Sequence, residues 1–417
     1  MIVLSGADIV LPDRVLAPGT IVIDGDRIVD VRGGSTFGGS HPHPLFAFRG
    51  HYIVPGFIDV HVHGVDGTDV FDAGKPIHTM AAALPRSGVT AFCPTTIACA
   101  PDQLRAVLAE VRTARAAPPG RGARVLPAHL ESNFINPEFR GAQPLGCLRS
   151  PRAALSAPLK IPHPVRDDDD RFAAPEILAE IERAAPDVGI VTLAPELDGG
   201  LDLIRWLTTR GHRVSLGHSA ATFDQAVEAI DAGARQATHL FNRMPPMHHR
   251  APGLAGAVLQ SQDVAAELVC DGFHVHAALV RATIAAKGAS RVMAVSDATA
   301  AAGLAPGASA LLGGQAITAG DGAAFLRDGT VAGSIMTMDR VFQQLVGRMG
   351  VSLVDAATIC ATTPARELGL FGHGMLVREA AADLVVLDAG LQVVQTYVAG
   401  QLVYQRDATR RTGVRGI

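Results

Sequence analysis

The stretch YIVPGFIDVHV, at residues 52–62, is an apolar, strand-like run whose last two residues form a His-x-His pattern with His63. Seven further apolar runs follow it along the chain: VTAFCPTT, RVLPAHLE, VGIVTLAPE, HRVSLGHS, RQATHLF, VAAELVCDG and RVMAVSDA. Helical segments such as PDQLRAVLAEVRTA, PEILAEIERA and TFDQAVEAIDAG separate most of these runs. Eight strands that alternate with helices predict an α/β fold, a (β/α)8 barrel of the TIM type. A doubly wound open sheet is the alternative, but no GxGxxG motif follows any of the strands.

Both ends of the chain differ from the middle. GTIVIDGDRIVDV near the N-terminus alternates apolar and polar residues, and ADLVVLDAGLQVVQTYVAGQLVYQ near the C-terminus repeats this character, with Gly400 at a predicted turn. We predict a small composite β-sandwich domain, residues 1–54 plus 372–417, that flanks a barrel of residues 55–371. The segments near 132–170 and 299–333 lack clear periodicity, and we predict that they form loops over one end of the barrel.

Composition restricts the class of protein. Of the 417 residues 48% are hydrophobic and 18% charged, which is enough apolar material for a large buried core. A net charge of −4 provides no basic field for nucleic acid. No run approaches the about 20 apolar residues that span a bilayer. The four aspartates from Asp167 to Asp170 are interpreted as a solvated loop rather than a cation site.

The cysteines indicate the compartment. They are odd in number and lack CxxC spacing: Cys93, Cys99, Cys147, Cys270 and Cys360. This pattern predicts buried thiols in a reducing environment rather than disulfides or a zinc–thiolate site. The N-terminal MIVLSGADIV lacks the charged region and long apolar core of a secretory signal. We therefore expect a cytoplasmic protein with neither nucleic-acid nor membrane partners.

Polar side chains occupy the carboxyl ends of the predicted strands, where barrel enzymes have their active sites. His61 and His63 end the first strand, and both can point into the barrel because strand residues two apart share a face. Four more candidates each end another strand: Glu131 the third, His218 the fifth, His239 the sixth and Asp297 the eighth. Any one histidine alone is more commonly a hydrogen-bonded structural residue. Together the six predict a divalent metal site, because buried imidazoles and carboxylates without a cation would lack partners.

A metal in this position accounts for catalysis as well as binding. A divalent ion lowers the pKa of its water from about 15.7 towards 7, which supplies a nucleophile at neutral pH. Asp297 is then the predicted proton shuttle, accepting a proton from the water and delivering it to the leaving amine. Serine and cysteine nucleophiles are disfavoured, because neither a GxSxG elbow nor a papain-type cysteine segment is present. The sequence therefore predicts metal-dependent hydrolysis of an amide bond.

A second group of candidates lies beyond the sixth strand, in HLFNRMPPMHHRAPGLAGA. Its prolines and glycines predict a loop with four basic residues: Arg243, His248, His249 and Arg250. They form either a solvated basic loop or a site in which Arg250 holds an anionic group such as phosphate. His274 and His276, in DGFHVH beyond the seventh strand, are candidates to join that site. Glu196, after the fourth strand, is interpreted as a structural or supporting residue rather than a ligand.

These motifs resemble the N-acetylglucosamine-6-phosphate deacetylase family of the amidohydrolase superfamily over nearly the whole chain. The stretches that carry the resemblance are PGFIDVHVHG, HLESNFINPEFRGAQ, LAPE, LGHSAAT, THLFNRMPP with RAPGLAGA, DGFHVH, VSDATAAAG, AGSIMTMD and ADLVVLD. The resemblance implies a homodimeric enzyme that converts N-acetylglucosamine 6-phosphate to glucosamine 6-phosphate and acetate.

The resemblance also implies roles for individual residues. Glu131, His218 and His239 match the ligands of the main metal. His61 and His63 match those of a second metal that only some members have, and Asp297 matches the catalytic aspartate, itself near the metal. The implied substrate-binding residues are Ala142, Gln143, Asn242, Arg243, Arg250, His274 and Ile335. Among these, Arg250 matches the phosphate-binding arginine, and His274 matches a histidine that reaches phosphate across a dimer interface. Ile335 lies in the loop that closes over the sugar.

The implied cofactor is one or two divalent metal ions. Zinc is the first choice, with iron, manganese and cobalt as alternatives, because sets of histidine and carboxylate ligands accept several metals. The His61–His63 pair favours two ions over one.

The sequence departs from the family pattern near the metal glutamate. The family usually has Gly-Pro where this chain has Ser132 and Asn133, and a histidine that contacts the acetyl carbonyl where this chain has Gln143. Glutamine can donate a hydrogen bond to a developing oxyanion but carries no charge. An amidohydrolase for a different N-acyl amine, such as an N-acyl amino acid or other acylated amino sugar, is therefore a second hypothesis. A non-catalytic metal- or sugar-binding protein is a third.

Overall fold

The computed structural model of the protein describes residues 1–35, 45–117, 122–156 and 172–407. The aspartate run from Asp167 to Asp170 lies outside these residues. Two large sheets dominate the described chain, one built from both of its ends and one from its middle. No helix within the described ranges is both long enough and apolar enough to cross a membrane.

The terminal sheet has eight strands. Their bounds are Ile2–Val10 (β1), Val15–Asp24 (β2), Arg27–Gly33 (β3), Leu45–Ala47 (β4), Tyr52–Pro55 (β5), Leu384–Leu387 (β21), Val393–Val398 (β22) and Gln401–Gln405 (β23). Strand β5 joins the two ends of the chain, because it pairs with β1 on one side and antiparallel with β21 on the other. Leu4, Ile53 and Tyr397, drawn from both ends, share one buried core. The composite β-domain is thus part of the fold, while the sequence limits proposed for the two domains stay a prediction.

The barrel contains eight parallel strands, arranged in the order of the sequence. Their bounds are Phe57–Val62 (β6), Val89–Thr96 (β9), Ala128–Glu131 (β11), Val188–Leu193 (β12), Arg213–Leu216 (β13), Gln236–Ala237 (β14), Ala265–Val269 (β15) and Val292–Val295 (β16). Three short strands accompany them, Gly64–Val65 (β7), Thr68–Asp69 (β8) and Arg124–Val125 (β10). The barrel closes where Val62 bridges Ala298 and the Asp297 amide donates to the His61 carbonyl at 3.0 Å. The predicted barrel is confirmed, and the open sheet is excluded.

The run that predicted the first barrel strand contributes to both sheets. Its first residues form β5 of the terminal sheet, and Phe57–Val62 forms β6 of the barrel. Gly56 separates the two strands, and a Cβ there would lie 2.2 Å from the side chain of Thr90. A residue without a side chain is required at this close approach, where the chain passes from one sheet to the other.

Helices cover the outside of the barrel. Their bounds are Pro76–Ala83 (α1), Pro101–Ala116 (α2), Pro151–Ser156 (α3), Ala174–Ala184 (α4), Gly200–Thr209 (α5), Phe223–Asp231 (α6), Gly253–Gln260 (α7), Ala277–Lys287 (α8), Met338–Gln343 (α9), Leu353–Ala357 (α10) and Thr363–Glu367 (α11). Helix α4 buries Ile177, Leu178 and Ile181 at helical spacing, so its apolar stripe faces the core. A capping box between Thr222 and Gln225 starts α6. The three helices expected from the sequence are therefore present, and each observed bound lies within two residues of the expected one.

The prediction of loops for residues 299–333 is wrong. This segment contains most of a four-stranded antiparallel sheet, Ser309–Leu312 (β17), Gln315–Ala319 (β18), Ala323–Leu326 (β19) and Val331–Ser334 (β20). Each strand has only four or five residues, too few for a visible alternation. Leu312, Ile317 and Ala324 pack with Ile97 in a small separate core. The overlooked signals are Gly-Gly at 313–314 and Asp-Gly at 321–322 and 328–329, which favour hairpin turns.

Candidate metal centre and active site

Six side chains converge at the carboxyl end of the barrel, as the sequence predicted. Three of them lie on or directly after their strands: His61 within β6, His63 just past it and Glu131 at the end of β11. The other three, His218, His239 and Asp297, each lie two residues beyond a strand. Their residues are at most 7% exposed. Burying two carboxylates with four imidazoles is costly unless the groups satisfy one another or a cation joins them.

The backbone at this end of the barrel is strained. His218, His239 and Asp297 have φ of 50°, 29° and 48°, the left-handed region that side chains other than glycine rarely adopt. Tertiary hydrogen bonds hold two of these residues: Asn136 N donates to the His218 carbonyl at 2.9 Å, and Ser334 N donates to that of Asp297 at 2.8 Å. Strain of this kind clusters at functional sites, where the surrounding structure fixes side-chain direction.

One trio of donor atoms surrounds Glu131. Its Oε1 lies 2.8 Å from His218 Nε2 and 2.9 Å from His239 Nε2. The two imidazole nitrogens are 3.0 Å apart. Ligands about 2.0–2.1 Å from a zinc ion are separated by about 3.3 Å in a tetrahedron. The three separations in this trio are a few tenths of an ångström shorter, so a small outward movement of the side chains would give the spacing of a coordination shell.

A second set of donor atoms adjoins the first. The Nε2 atoms of His61 and His63 are 3.1 Å apart, and Asp297 Oδ1 lies 3.4 Å from each. Glu131 connects the sets, because its Oε1 is 3.8 Å from His61 Nε2 and its Oε2 is 3.7 Å from His63 Nε2. His61, His63 and Glu131 thus form a second possible metal-holding group beside that of Glu131, His218 and His239.

The partners of the outer ring nitrogens decide which tautomer each histidine adopts. His63 Nδ1 lies 3.1 Å from the Thr95 carbonyl and His218 Nδ1 lies 2.8 Å from the Phe139 carbonyl, so both nitrogens must donate. His61 Nδ1 donates to Glu267 at 3.0 Å. When these rings are neutral, their Nε2 atoms carry lone pairs that face each other. Lone pairs at this distance repel unless a proton or a cation lies between them, and a divalent cation fits this donor set.

Electrostatics in the metal-free site agree with this geometry. Burial alone would raise the pKa of Glu131, but His218, His239 and His61 outweigh it and hold the pKa well below its ordinary value. Burial opposes the same change in Asp297, whose pKa is nevertheless lowered, mainly by His61 and His63. Burial would lower the pKa of His61, yet Asp297 and Glu267 raise it to about 10. Without a metal, protons must therefore supply the positive charge that the carboxylates require.

Glu267 is a functional residue that the sequence reasoning missed. It lies in β15, is fully buried, and its Oε2 accepts from His61 Nδ1. The same oxygen accepts from the His239 backbone amide at 3.3 Å, while Oε1 accepts from Gln236 Nε2 at 2.5 Å. One carboxylate thus holds a histidine from each donor set. The signal for it was a carboxylate in the middle of the apolar part of this run, VAAELVC.

Asp59 and His129 were also missed, and both lie below the donor atoms. Asp59 Oδ2 accepts from Ser296 Oγ at 2.5 Å, which ties β6 to the end of β16. Burial raises the pKa of Asp59 to about 6. His129 contacts the Val60 carbonyl at 2.9 Å and Thr192 Oγ1 at 2.8 Å, and burial lowers its pKa to about 4. His129 is therefore a neutral, hydrogen-bonded support of the barrel interior.

A cavity of about 500 Å³ opens above the donor atoms. Five of the predicted substrate-binding residues line it: Ala142, Gln143, Asn242, Arg243 and His274. Arg250 does not: it is exposed and bonded to its neighbour His249, with NH1 2.8 Å from His249 Nε2. Ile335 packs instead against the small core of the four-stranded sheet. The cavity is formed by the described residues of one chain.

Gln143 holds a metal-site residue rather than facing the cavity freely. Its Nε2 donates to Glu131 Oε2 in a short contact, and its Oε1 accepts from Ala98 N at 2.7 Å. The neighbouring departures are also internal, since Ser132 Oγ donates to the Thr192 carbonyl at 2.6 Å. Asn133 Nδ2 donates to the carbonyls of Cys99 and Cys147. All three side chains thus have structural partners, which weakens them as evidence for another acyl group.

One wall of the cavity carries two basic residues, Arg243 and His274. His274 Nδ1 contacts Asp271 Oδ2 at 2.6 Å, and its Nε2 is buried without a partner among the described residues. Burial would lower the pKa of His274, but Asp271 raises it more. Arg243 donates to the Val331 carbonyl at 3.1 Å and packs on Gly141, where a Cβ would lie 2.6 Å from Arg243 Nε. An anion would satisfy both cations.

The remaining candidates have other roles. Glu196 accepts from Ser219 Oγ at 2.7 Å and Asn136 Nδ2 at 2.9 Å, which agrees with its interpretation as a support. His276 is exposed and caps α8 by accepting from Ala278 N. His248 and His249 are exposed, and their rings contact each other at a tilt of 43°, with centroids 4.1 Å apart.

A closed (β/α)8 barrel with convergent histidine and carboxylate donors at its strand ends defines a class, the metal-dependent hydrolases of this fold. The model of the Amidohydrolase family matches residues 52–403. The human N-acetylglucosamine-6-phosphate deacetylase is 37% identical over 374 residues, covering 87% of this chain and 86% of that protein. The N-acetylgalactosamine-6-phosphate deacetylase of Escherichia coli O157:H7 is 34% identical over 362 residues, covering 84% and 87%.

Solved structures agree with the sequence comparison. A variant of N-acetyl-D-glucosamine-6-phosphate deacetylase from Mycobacterium smegmatis, in complex with N-acetyl-D-glucosamine-6-phosphate, superposes with a TM-score of 0.82. It is 31% identical and covers 96% of this chain and 99% of that one. The chain belongs to the amidohydrolase family and, within it, to the N-acetylglucosamine-6-phosphate deacetylases.

Proposed function

We propose that the protein hydrolyses the acetamide of N-acetylglucosamine 6-phosphate to acetate and glucosamine 6-phosphate. The observation that carries this proposal is the pairing, in one cavity, of a metal-type donor cluster with the basic residues Arg243 and His274. A volume of about 500 Å³ is within the range of small-molecule sites. The amide would lie over the donors and the phosphate against the basic wall.

Glu131, His218 and His239 would hold the main divalent ion, and His61, His63 and Asp297 would complete a second position beside it. Such an ion polarises the scissile carbonyl and activates water. Glu267, Thr95 and Phe139 fix the histidine tautomers, so the imidazole lone pairs are directed before the ion binds. We propose zinc, because these nitrogen and oxygen donors and their spacing suit it.

Asp297 would move the proton that the reaction needs. Its lowered pKa keeps the carboxylate ionised at neutral pH, so Oδ1 starts as a base. As water attacks the acetyl carbon, Asp297 Oδ1 accepts a proton and passes it to the amide nitrogen. The carbon–oxygen bond forms, the carbon–nitrogen bond breaks, and acetate leaves with the free amine.

His274 and Arg243 would bind the phosphate. Asp271 orients the His274 ring and favours its charged form, which leaves Nε2 as a donor facing an anion. Arg243 adds a second positive charge on the same wall. Asn242 beside it would contact the phosphate or sugar, and Ala142 and Gln143 also line the cavity.

The galactosamine epimer is a second candidate substrate. The relative from Escherichia coli O157:H7 is named for N-acetylgalactosamine 6-phosphate and is nearly as similar as those named for the glucosamine compound. The two sugars differ only in the direction of one ring hydroxyl. Comparing kcat/KM for both phosphorylated sugars decides between them.

Acetate release from N-acetylglucosamine 6-phosphate tests the main proposal. We expect a large loss of kcat/KM for unphosphorylated N-acetylglucosamine, and a rise in KM for the phosphorylated sugar in Arg243→Ala. Asp297→Asn should lower kcat by about 10²–10⁴ while protein-bound metal is retained. Activity confined to N-acyl amino acids would refute the substrate, and full turnover by Asp297→Asn would refute the mechanism.

We further propose a cytoplasmic homodimer. Four of the cysteines, Cys93, Cys99, Cys270 and Cys360, are buried and free, which suits a reducing compartment. Met247 and Phe273 expose about half of their surface, and a partner chain would cover such apolar residues. Arg250 is exposed and lies outside the cavity of its own chain. It could contact the phosphate only if its loop moved, or if it reached across an interface into the cavity of a partner chain. Sedimentation equilibrium measures the oligomeric state directly.

A further inference from the structure

A second cavity lies at the opposite end of the barrel from the metal centre. It has a volume of about 730 Å³, and its wall includes residues before or at the amino ends of strands: Pro127 before β11, Val188 at the start of β12 and Arg213 at the start of β13. We call it the basal cavity. The proposed reaction uses none of its residues.

The wall of the basal cavity is strongly basic. Four arginines line it, Arg115, Arg210, Arg213 and Arg235, against the single carboxylate of Glu367. The chain as a whole has a net charge of −4, so this concentration runs against its overall balance. Guanidinium groups gathered around one concave surface produce a local positive potential that attracts anions.

The four arginines differ in how far protein acceptors already satisfy their guanidinium groups. Arg213 is committed to Glu367 and Gln236, and Arg115 to Asp187. Arg210 is only partly occupied: its Nε donates to Glu182 at 2.9 Å and its NH1 to the Trp206 carbonyl at 3.4 Å, and its NH2 group has no acceptor among the described residues.

Arg235 differs from the other three. Its NH1 donates to the Ile230 and Ala234 carbonyls, both at 2.8 Å, and no carboxylate in the described ranges lies within ion-pair distance. Arg235 is exposed and lines the basal cavity. Arg235 therefore has a full positive charge without a local counter-ion.

His212 supplies a second polar group in the basal cavity, a hydrogen-bond acceptor that has no partner among the described residues. It lines the basal cavity and is only 5% exposed, and its Nδ1 donates to the Val188 carbonyl at 2.9 Å. Its Nε2 is buried and has no partner among the described residues. Since burial lowers the pKa of His212, the ring is neutral and Nε2 is a vacant hydrogen-bond acceptor.

We propose that the basal cavity is a second ligand site, which binds a small phosphorylated molecule that carries hydroxyl groups. Arg235 and Arg210 hold the phosphate, and a hydroxyl donates to His212 Nε2. The volume admits a hexose phosphate with room for water. The site is independent of the proposed reaction, because it lies at the other end of the barrel and shares no residue with the metal cavity.

Equilibrium dialysis with radiolabelled glucose 6-phosphate tests this site. This probe has a phosphate and hydroxyls but no acetamide, so it is not consumed. We expect wild-type protein to bind one more equivalent per chain than Arg235→Ala, or to bind that equivalent about tenfold more tightly. Acetate release should be the same in both proteins, which separates the basal cavity from the active site.

Two further variants keep the result decisive. Arg210→Ala should weaken the same binding event, so a folding defect peculiar to Arg235→Ala cannot produce the result. Arg205→Ala is the matched control, because Arg205 is an exposed helical arginine paired with Asp202 and does not line the basal cavity. Equal binding by wild type, Arg235→Ala and Arg210→Ala would overturn the proposal. An equal loss in Arg205→Ala would also overturn it, since the effect would then be one of general charge.

Discussion

Replacing Glu267 by glutamine should weaken metal binding without unfolding the barrel. The carboxylate accepts from His61 Nδ1 at 3.0 Å, from Gln236 Nε2 at 2.5 Å and from the His239 amide at 3.3 Å. An amide of the same shape presents one oxygen, so either His61 or Gln236 would face an NH2 group and lose its acceptor. Losing a histidine-orienting partner costs about 10–100-fold in metal affinity. That factor corresponds to about 1.4–2.7 kcal/mol.

The assay is a competition titration, in which metal-free protein and a chromophoric chelator compete for zinc. Circular dichroism and thermal unfolding confirm that the variant is folded. Glu180→Gln is the matched control, because Glu180 is also a buried carboxylate, paired with Arg105 and Arg183 on α4 away from the metal centre. A zinc affinity in Glu267→Gln within twofold of wild type would refute the reasoning, as would an equal loss in Glu180→Gln.

Three other changes test separate parts of the account. Gln143→Ala removes the hydrogen-bond donor to Glu131 Oε2, so the affinity for zinc should fall about tenfold in the same competition titration. An altered KM with an unchanged affinity for zinc would mean that Gln143 contacts the substrate instead. Asp383→Asn should lower the free energy of unfolding at pH 7 by about 2 kcal/mol in urea titrations, because Asp383 is buried and holds Arg124 and His373. Because folding lowers the pKa of Asp383, the stability that this carboxylate contributes is fully present above its ordinary pKa. That stability should decline as the pH falls below the ordinary pKa, and it should be lost as the pH falls through the lowered pKa of the folded state. His61 has a pKa of about 10 without bound metal, so zinc binding at pH 8 should release about one proton from His61, and zinc affinity should rise with pH. Calorimetry in two buffers of different ionisation enthalpy measures the number of protons released. An absence of proton release would contradict this prediction.

The barrel and its polar end could be predicted from local pattern alone. Apolar runs that end in His61, Glu131, His218 or Asp297 fixed both the strands and the end at which they present ligands. Parallel strands have one direction, so residues at their carboxyl ends must meet even when far apart in the chain. The meeting of these residues follows from the topology of the barrel and requires no knowledge of distances.

The residues that the sequence did not reveal lie inside the barrel, below the metal ligands, and their role depends on partners from other strands. Glu267 and Asp59 point inward from the middle of apolar strands, where pattern alone does not separate a support from an unfavourable buried charge. Their importance appears only when the partners across the barrel, His61 and Ser296, are in place. The prediction of Gln143 as a substrate contact stays a prediction, and the pattern does not show that its amide also donates to Glu131.

The four-stranded sheet after β16 was missed for a different reason. Its strands have four or five residues and contain many small side chains, so the alternation of buried and exposed positions in β18 and β20 is too short to be recognised in the sequence. Glycine-containing turns between those strands were the stronger signal. Arg250 shows the opposite case, in which a motif predicts a role that the structure of one chain does not display. The motif predicts that Arg250 binds phosphate, but this residue does not line the cavity.

The central claim is that the clustered histidines and carboxylates hold a divalent ion on which amide hydrolysis depends. The most direct measurement is acetate release from N-acetylglucosamine 6-phosphate by chelator-treated protein, with bound metal quantified as zinc is added back. We predict that activity disappears with the metal and returns in proportion to the zinc bound. Full acetate release by protein shown to contain no metal would contradict the account.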